Sequence, residues 1–362
     1  MKLQGTIETD FRFAVVRIHF GQRDGQDFVQ VSFPVIGDMH NDATNAAVTE
    51  SGVDFLFDIN GFPCAVHMEK VEGAWRGNMD MDSINLHIPL DIRQISEEPG
   101  FGPHAYVIPE GNVQNLRAHS TFENRPCSGV LRYALNDPQV LHFVKEKGID
   151  VENHHDFESI CALMQKVCQL IHHDGANYTH DHAHVGTIAQ IQFAEKQGNY
   201  TNCRGIAIIL AGVLRAYGFR ANVVECWPEK SENPEIHVVC EVFSQEHGKA
   251  VLLDPSNNLI YFQNGVPLSL IELREAVSSG QTETLSISRD ASHNGEEISL
   301  ISMLAYMSKN LMFLRKCIRS DEISEMDKDN SICLTSRDLM QAGYPEATWF
   351  TCNIPEFYTP EA

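Results

Sequence analysis

The sequence predicts an α+β protein: an antiparallel β-domain, followed by helices packed on an antiparallel sheet. Three observations predict it. Over residues 1–115 apolar residues recur at every second position, the period of a strand with one buried face. From about residue 130 the period lengthens to 3.6, that of an amphipathic helix. After residue 220 the period of two returns. The chain has 362 residues, enough for about two domains, and is 43% hydrophobic and 21% charged, as an ordinary globular protein is.

In the first region Phe11, Phe13 and Val15 alternate with Arg12, Ala14 and Val16. Val53, Phe55, Phe57 and Ile59 alternate with Asp54, Leu56 and Asp58, and Ile84–Ile92 repeats the pattern. Glycine-rich breaks separate the runs at Gly21–Gly25, Gly37–Asn41 and Gly73–Asn78. A β-sandwich or barrel is expected over 1–115, with a linker at Pro103–Gly111.

Residues 116–362 are expected to form the second domain, with a core at 155–265 and a C-terminal extension. Phe157, Ile160, Cys161, Met164, Val167, Cys168 and Ile171 follow helical spacing, with Asp156 as cap and Gly175 as the stop. A second helix is expected over Thr187–Lys196. A third opens at Cys203 and stops at Gly218. It is apolar nearly all round and should be central. Strands are expected at Ala221–Cys226, His237–Phe243 and Ala250–Asp254, and a last helix at Glu297–Arg315. The tail, Ser331–Ala362, shows no clear period. Its Trp349-Phe350 and Phe357-Tyr358 pairs are expected to close the core.

Charge and cysteine content narrow the function. Lys+Arg number 27 and Asp+Glu 49, a formal net charge of −22. Such a surface repels phosphate backbones and anionic lipid, so neither nucleic acid nor membrane is an expected partner. The longest strongly apolar run, Ile206–Leu214, is far shorter than the ~20 residues a spanning helix needs. No apolar signal segment follows Met1. The ten cysteines form no Cys-x-x-Cys pair and sit mostly in apolar runs. They are expected to be reduced, in a cytoplasmic protein.

Three residues carry candidate chemistry: Cys203, His237 and Asp254. Cys203 opens the most apolar helix behind Asn202, a good N-cap. A thiol there feels the positive end of the helix dipole, which favours thiolate. His237 begins one strand and Asp254 ends the next. A hairpin closing on a Ser244–His247 loop would set Phe243 opposite Gly248, Glu241 opposite Ala250, Val239 opposite Leu252 and His237 opposite Asp254. Directly opposed side chains share a face, so a carboxylate would orient the imidazole. The order is nucleophile, base and orienter.

The stretch Asn199-Tyr200-Thr201-Asn202-Cys203-Arg204-Gly205, continuing to Arg215-Ala216-Tyr217-Gly218, resembles the core of the transglutaminase-like superfamily. So do Ile236–Val242 and Val251-Leu252-Leu253-Asp254-Pro255. Tyr306–Asn310 resembles a C-terminal segment of bacterial proteins of that group. The resemblance implies a papain-like fold and a catalytic triad of Cys203, His237 and Asp254. It further implies thioester chemistry on a peptide or protein substrate, without cofactor or metal. An oxyanion side chain is expected among Gln192, Gln197, Asn199 and Tyr200.

Departures from the family refine this. Cross-linking members carry Gln before the cysteine and Trp after it, whereas Asn202 and Arg204 stand here. The zinc Cys-x-x-Cys pairs of peptide N-glycanases and the Arg-Gly-Gly-x-Cys of arylamine acetyltransferases are absent. Hydrolysis of a peptide or amide bond remains. The alternatives are protein-glutamine acyl transfer, or a non-catalytic binding module that keeps the fold. The histidine-rich segment His172–His184 is expected to be a solvated or substrate-gating loop, with His180, His182 and His184 the alternative metal ligands. Asp54, Asp58, Asp80 and Asp82 are read as strand residues and not cation ligands.

Overall fold

The computed structural model describes residues 2–7, 14–23, 25–33, 38–59, 62–94, 108, 110–152, 156–175, 177, 186–229, 236–324 and 327–361. The chain divides into two compact units. One comprises Met1–Ile108, Ser231–Asn233 and Ile301–Tyr306; the other Pro109–Lys230, Pro234–Leu300 and Met307–Ala362. The architecture is α+β.

In the first unit alternating residues form nine strands: β1 (Lys2–Ile7), β2 (Ala14–Arg23), β3 (Gln26–Phe33), β4 (Asp38–Asp42), β5 (Thr44–Val48), β6 (Gly52–Ile59), β7 (Phe62–Val71), β8 (Ala74–Met81) and β9 (Leu86–Gln94). They make one antiparallel sheet in the order β4-β3-β2-β1-β9-β8-β7-β6-β5. Its two edges, β4 and β5, are consecutive in the chain. Ala43, between them, donates to Val29 O at 2.9 Å, and Val48 N–H reaches Asp27 Oδ2 at 2.8 Å. Both bonds reach β3, so among the described residues the β5 end of the sheet is drawn back toward β3 and the sheet curls toward a barrel. Val16, Ile18, Phe20, Phe55, Phe57, Leu90 and Ile92 fill one core around a fully buried Trp75.

The glycine breaks are narrower than expected. Gly73 at φ 85° and Glu72 at φ 51° make a two-residue turn, and Ala74–Met81 is already strand. Gly21 lies within β2, and Asp38–Asn41 lies within β4. Phe11 and Phe13 lie outside the described residues. Glu110 and Gly111, expected in a linker, open helix α1 (Glu110–Ala118).

The second unit carries α2 (Pro138–Glu146), α3 (Phe157–Leu170), β10 (His172–His173), α4 (Thr187–Lys196), β11 (Tyr200–Thr201) and α5 (Cys203–Ala216). Strands β12 (Ala221–Trp227), β13 (His237–Ser244) and β14 (Lys249–Leu253) follow. Beyond them in the chain lie α6 (Leu270–Ser279), then α7 (Leu300–Lys309), of which Ile301–Tyr306 falls in the first unit, and β15 (Phe313–Cys317), β16 (Ser331–Thr335), β17 (Trp349–Thr351) and α8 (Ile354–Tyr358). A six-stranded sheet runs β14-β13-β12-β15-β16-β17, antiparallel except for the last pair.

Helix α5 is the centre of this unit. Every residue from Gly205 to Ala216 is buried. Ile206, Leu210 and Val213 join one core with Val238, Cys240 and Val242 of β13 and Ala221 and Val223 of β12. Each Val, Leu or Ile among them contributes about 1.5–3 kcal/mol on burial. Glycine sets how closely the helix packs: a Cβ on Gly205 would lie 2.3 Å from Thr201 Oγ1, and one on Gly212 would lie 1.6 Å from Thr187 Oγ1. The first turn of α5 is thus pressed onto β11, and its middle onto the start of α4.

Three element boundaries differ from the sequence reading. Helix α3 ends at Leu170, not Gly175, because His172 and His173 pair in parallel with Tyr200 and Thr201. The helix expected over Glu297–Arg315 is only Leu300–Lys309, and Arg315 lies in β15, hydrogen-bonded between β12 and β16. The tail without clear period supplies β16, β17 and α8.

Candidate functional site

The β13–β14 hairpin positions two of the candidate residues, in a register shifted by two residues from the expected one. Ser244 pairs with Lys249, Phe243 with Ala250 and Glu241 with Leu252. The turn is Gln245–Gly248, because Gly248, at φ 64°, occupies its left-handed position. A shift of two preserves the face. His237 and Asp254 are therefore diagonal neighbours and not direct opposites, and they still meet: His237 Nε2 lies 2.8 Å from Asp254 Oδ2. Both side chains are buried.

Asp254 is held on every side. Its Oδ2 also accepts from Asn257 Nδ2 at 2.9 Å, and its Oδ1 accepts from the Ser256 amide at 3.1 Å. Its backbone bridges to Leu259 in both directions. Burial alone would raise its pKa, but the charge and hydrogen bond of His237 and the bond from Asn257 hold it below the ordinary carboxylate value. Burial would likewise lower the pKa of His237. The Asp254 charge and hydrogen bond, joined by Cys203, outweigh that and raise it to about 10.

Cys203 is the first residue of α5 and keeps partial exposure. Asn202 caps the helix, its Oδ1 accepting from the Gly205 amide at 3.0 Å. With His237 Nε2 turned to Asp254, Nδ1 is the nitrogen left for the thiol. Burial pushes the thiol up. Hydrogen bonds to His173 and His237, and the charge of both rings, overcome it and bring the pKa down to about 6. At neutral pH the pair is thiolate and imidazolium.

His173 is the residue that the sequence reading missed, having placed it in a loop. Its backbone is fixed by Asn294, whose Oδ1 accepts from the His173 amide and whose Nδ2 donates to the His173 carbonyl, both at 2.8 Å. Its ring stands edge-on to His293 at 5.1 Å between centroids. Burial, together with the His173 charge, pushes His293 down to about 4, so it is neutral. His293 Nδ1 contacts Asn257 Oδ1 at 3.0 Å, and Asn257 is the donor to Asp254. One asparagine thus connects the supports of both imidazoles that flank Cys203. No spacing rule signals this, since β10 meets β11 through a two-residue parallel pairing.

Gln192, Gln197, Asn199 and Tyr200 are all exposed, and no described hydrogen bond links any of them to Cys203. Gln197 follows α4, Asn199 takes φ 72° in the next turn, and the Tyr200 ring lies 5.4 Å from that of His172. The buried glutamine of α4 is Gln190. Arg204, behind the thiol, is anchored by Glu225, which also takes Arg315 and, at 3.0 Å, Trp227 Nε1. Burial opposes charge on Glu225, and the two guanidiniums keep it ionised.

His180, His182 and His184 lie outside the described residues. Among the described residues, no group of three or more His, Cys, Asp or Glu is placed to hold a metal, and no helix is long and apolar enough to cross a membrane.

No family model and no curated protein matches this chain. Among solved structures it is similar to one from Cytophaga hutchinsonii described as a candidate cysteine protease, with 15% identity and a TM-score of 0.26, covering 69% of this chain and 79% of that one. With so small an overlap of backbones, the chemistry of the site rests on its own geometry.

Proposed function

We propose that the chain is a cysteine hydrolase of the transglutaminase-like kind, acting on a peptide or amide bond. The observation that supports this most is a helix-start thiol flanked by two imidazoles, one of them oriented by a buried carboxylate. The Cys203 thiolate attacks the carbonyl carbon. The oxyanion takes hydrogen bonds from the Cys203 backbone N–H, at the positive end of α5, and from the His173 ring. His237 gives its proton to the leaving amine as the C–N bond breaks. Water then attacks the thioester, losing a proton to His237; the C–S bond breaks, the acid departs, and the Cys203 thiolate stands again beside the His237 imidazolium. Asp254 holds the His237 ring and stabilises its cation throughout.

The test is a screen of peptide amides with wild type and Cys203→Ala. The proposal expects amide cleavage that is lost completely in the variant. Turnover that depends on added amine would instead support acyl transfer. Cleavage that survives Cys203→Ala would overturn the proposal by placing the chemistry on another group; no cleavage, with a Cys203 that reacts as an ordinary thiol, would leave the chain a binding module.

A further inference from the structure

The other end of β13 borders a cavity that the chemistry above does not use. Glu241 is four residues along the strand from His237, roughly 13 Å at strand rise. Val238, Cys240 and Val242 belong to the core under α5. Glu241 alternates with them and faces α6 and α8, where its Oε1 accepts from the Leu270 amide at 2.9 Å and from Tyr358 Oη at 3.0 Å. Its Oε2 is buried and has no hydrogen-bond partner among the described residues. The nearest cation is Lys316 Nζ of β15, 4.0 Å away, beyond hydrogen-bond range. That ammonium is also buried and lies over the Phe357 ring at 3.9 Å and the Tyr358 ring at 4.7 Å. It has no hydrogen-bond partner among the described residues.

Both groups line a cavity of about 470 Å³, within the usual size of a small-molecule site. Its apolar walls include Phe243, Ala250, Ile271, Ile354 and Pro360. Of the other charges there, Lys249 Nζ holds Glu272 at 2.7 Å, the Arg220 guanidinium stacks on Phe243 at 4.1 Å, and Glu275 is exposed to solvent. A carboxylate oxygen without a hydrogen-bond partner and an ammonium that reaches it only at 4.0 Å therefore stand at the end of an apolar slot.

We propose that this cavity binds a neutral primary carboxamide with an apolar body, the amide oxygen accepting from Lys316 Nζ and the amide nitrogen donating to Glu241 Oε2. The two complementary atoms of a carboxamide are attached to one carbon, so one group satisfies both partners. A carboxylate would satisfy Lys316 but bring charge against Glu241. An ammonium would satisfy Glu241 but face Lys316. A neutral amide leaves the buried ion pair balanced, which a charged ligand does not.

The test uses the full chain and three probes of one shape, benzamide, benzoate and benzylamine, read by saturation-transfer NMR and titration. Benzamide is expected to bind at least tenfold more tightly than the other two. It is also expected to lose at least tenfold in Lys316→Met, and likewise in Ala250→Phe, which fills the slot without touching the ion pair. If Lys316→Met does not fold, Ala250→Phe decides. Binding that persists after Cys203 is alkylated places the probe away from the thiol, as the proposal requires; loss on alkylation places it in the catalytic cleft and overturns it. No saturation from benzamide, equal binding of the three probes, or full binding to Ala250→Phe overturns it too.

Discussion

Two acid–base pairs are buried along one face of β13, and they are built on different plans. His237 and Asp254 meet at 2.8 Å, and every hydrogen bond around Asp254 is made. Glu241 and Lys316 stand 4.0 Å apart, and a carboxylate oxygen is left over. Burial penalises the charged form in both pairs, with opposite outcomes. For His237 and Asp254, contact and Coulomb attraction win, so the imidazole is raised to about 10 and the carboxyl lowered. For Glu241 and Lys316 burial wins, so the carboxyl is raised and the ammonium lowered to about 8. A closed pair fixes an orientation, as a catalytic base needs. An open pair stores unmet hydrogen bonding, as a binding site does.

The largest expected effect that tests this contrast is Asp254→Asn. The amide cannot stabilise the imidazolium and favours the wrong tautomer. On the proposed mechanism turnover should fall about 10⁴-fold, as it does on loss of charge from a triad carboxylate, and the Cys203 alkylation midpoint should rise. Unchanged turnover would mean that the closed pair is only structural. Next comes Lys316→Met, which strands the Glu241 charge and should cost about 3–5 kcal/mol in urea unfolding. A second change, Glu241→Leu, should recover most of it. A single variant as stable as wild type would erase the distinction between the pairs.

Asn257→Ala should cost less, about 1–3 kcal/mol, because Asp254 loses one donor while keeping His237 and the Ser256 amide. The alkylation midpoint should rise by less than in Asp254→Asn. The smallest effect is expected on the barrel surface. Arg76 and Asp91 are both more than half exposed, with Nε and Oδ2 3.2 Å apart. Arg76→Ala should leave the melting temperature within error, since exposed pairs contribute little. A clear loss there would mean that burial is not what gives the β13 pairs their weight.

The alternation and helical period were enough for the α+β class and for α4, whose bounds match the reading residue for residue. Asn202 could be read as a cap because capping is local: the side chain bonds an amide three residues on. Longer-range features were less legible. The hairpin register slipped by two because Gly248, not the loop length, fixes the turn. His173 was invisible because nothing local distinguishes a two-residue strand from loop, and its support comes from Asn294 and His293, far along the chain. The unmet valence of Glu241 depends on where α6, α8 and β15 bring Leu270, Tyr358 and Lys316, a convergence that no periodicity encodes.

The proposed hydrolysis depends most on Cys203 being a thiolate at neutral pH. The direct measurement is its rate of alkylation by iodoacetamide against pH, with the modified site mapped, in wild type and His237→Ala. Its depressed pKa means that thiolate is present above about 6 and is lost as pH falls through that value. The rate should be half-maximal near pH 6 in wild type, and the midpoint should move upward when the imidazole is removed. A midpoint near the ordinary thiol value of about 8.5, unmoved by His237→Ala, would contradict the account.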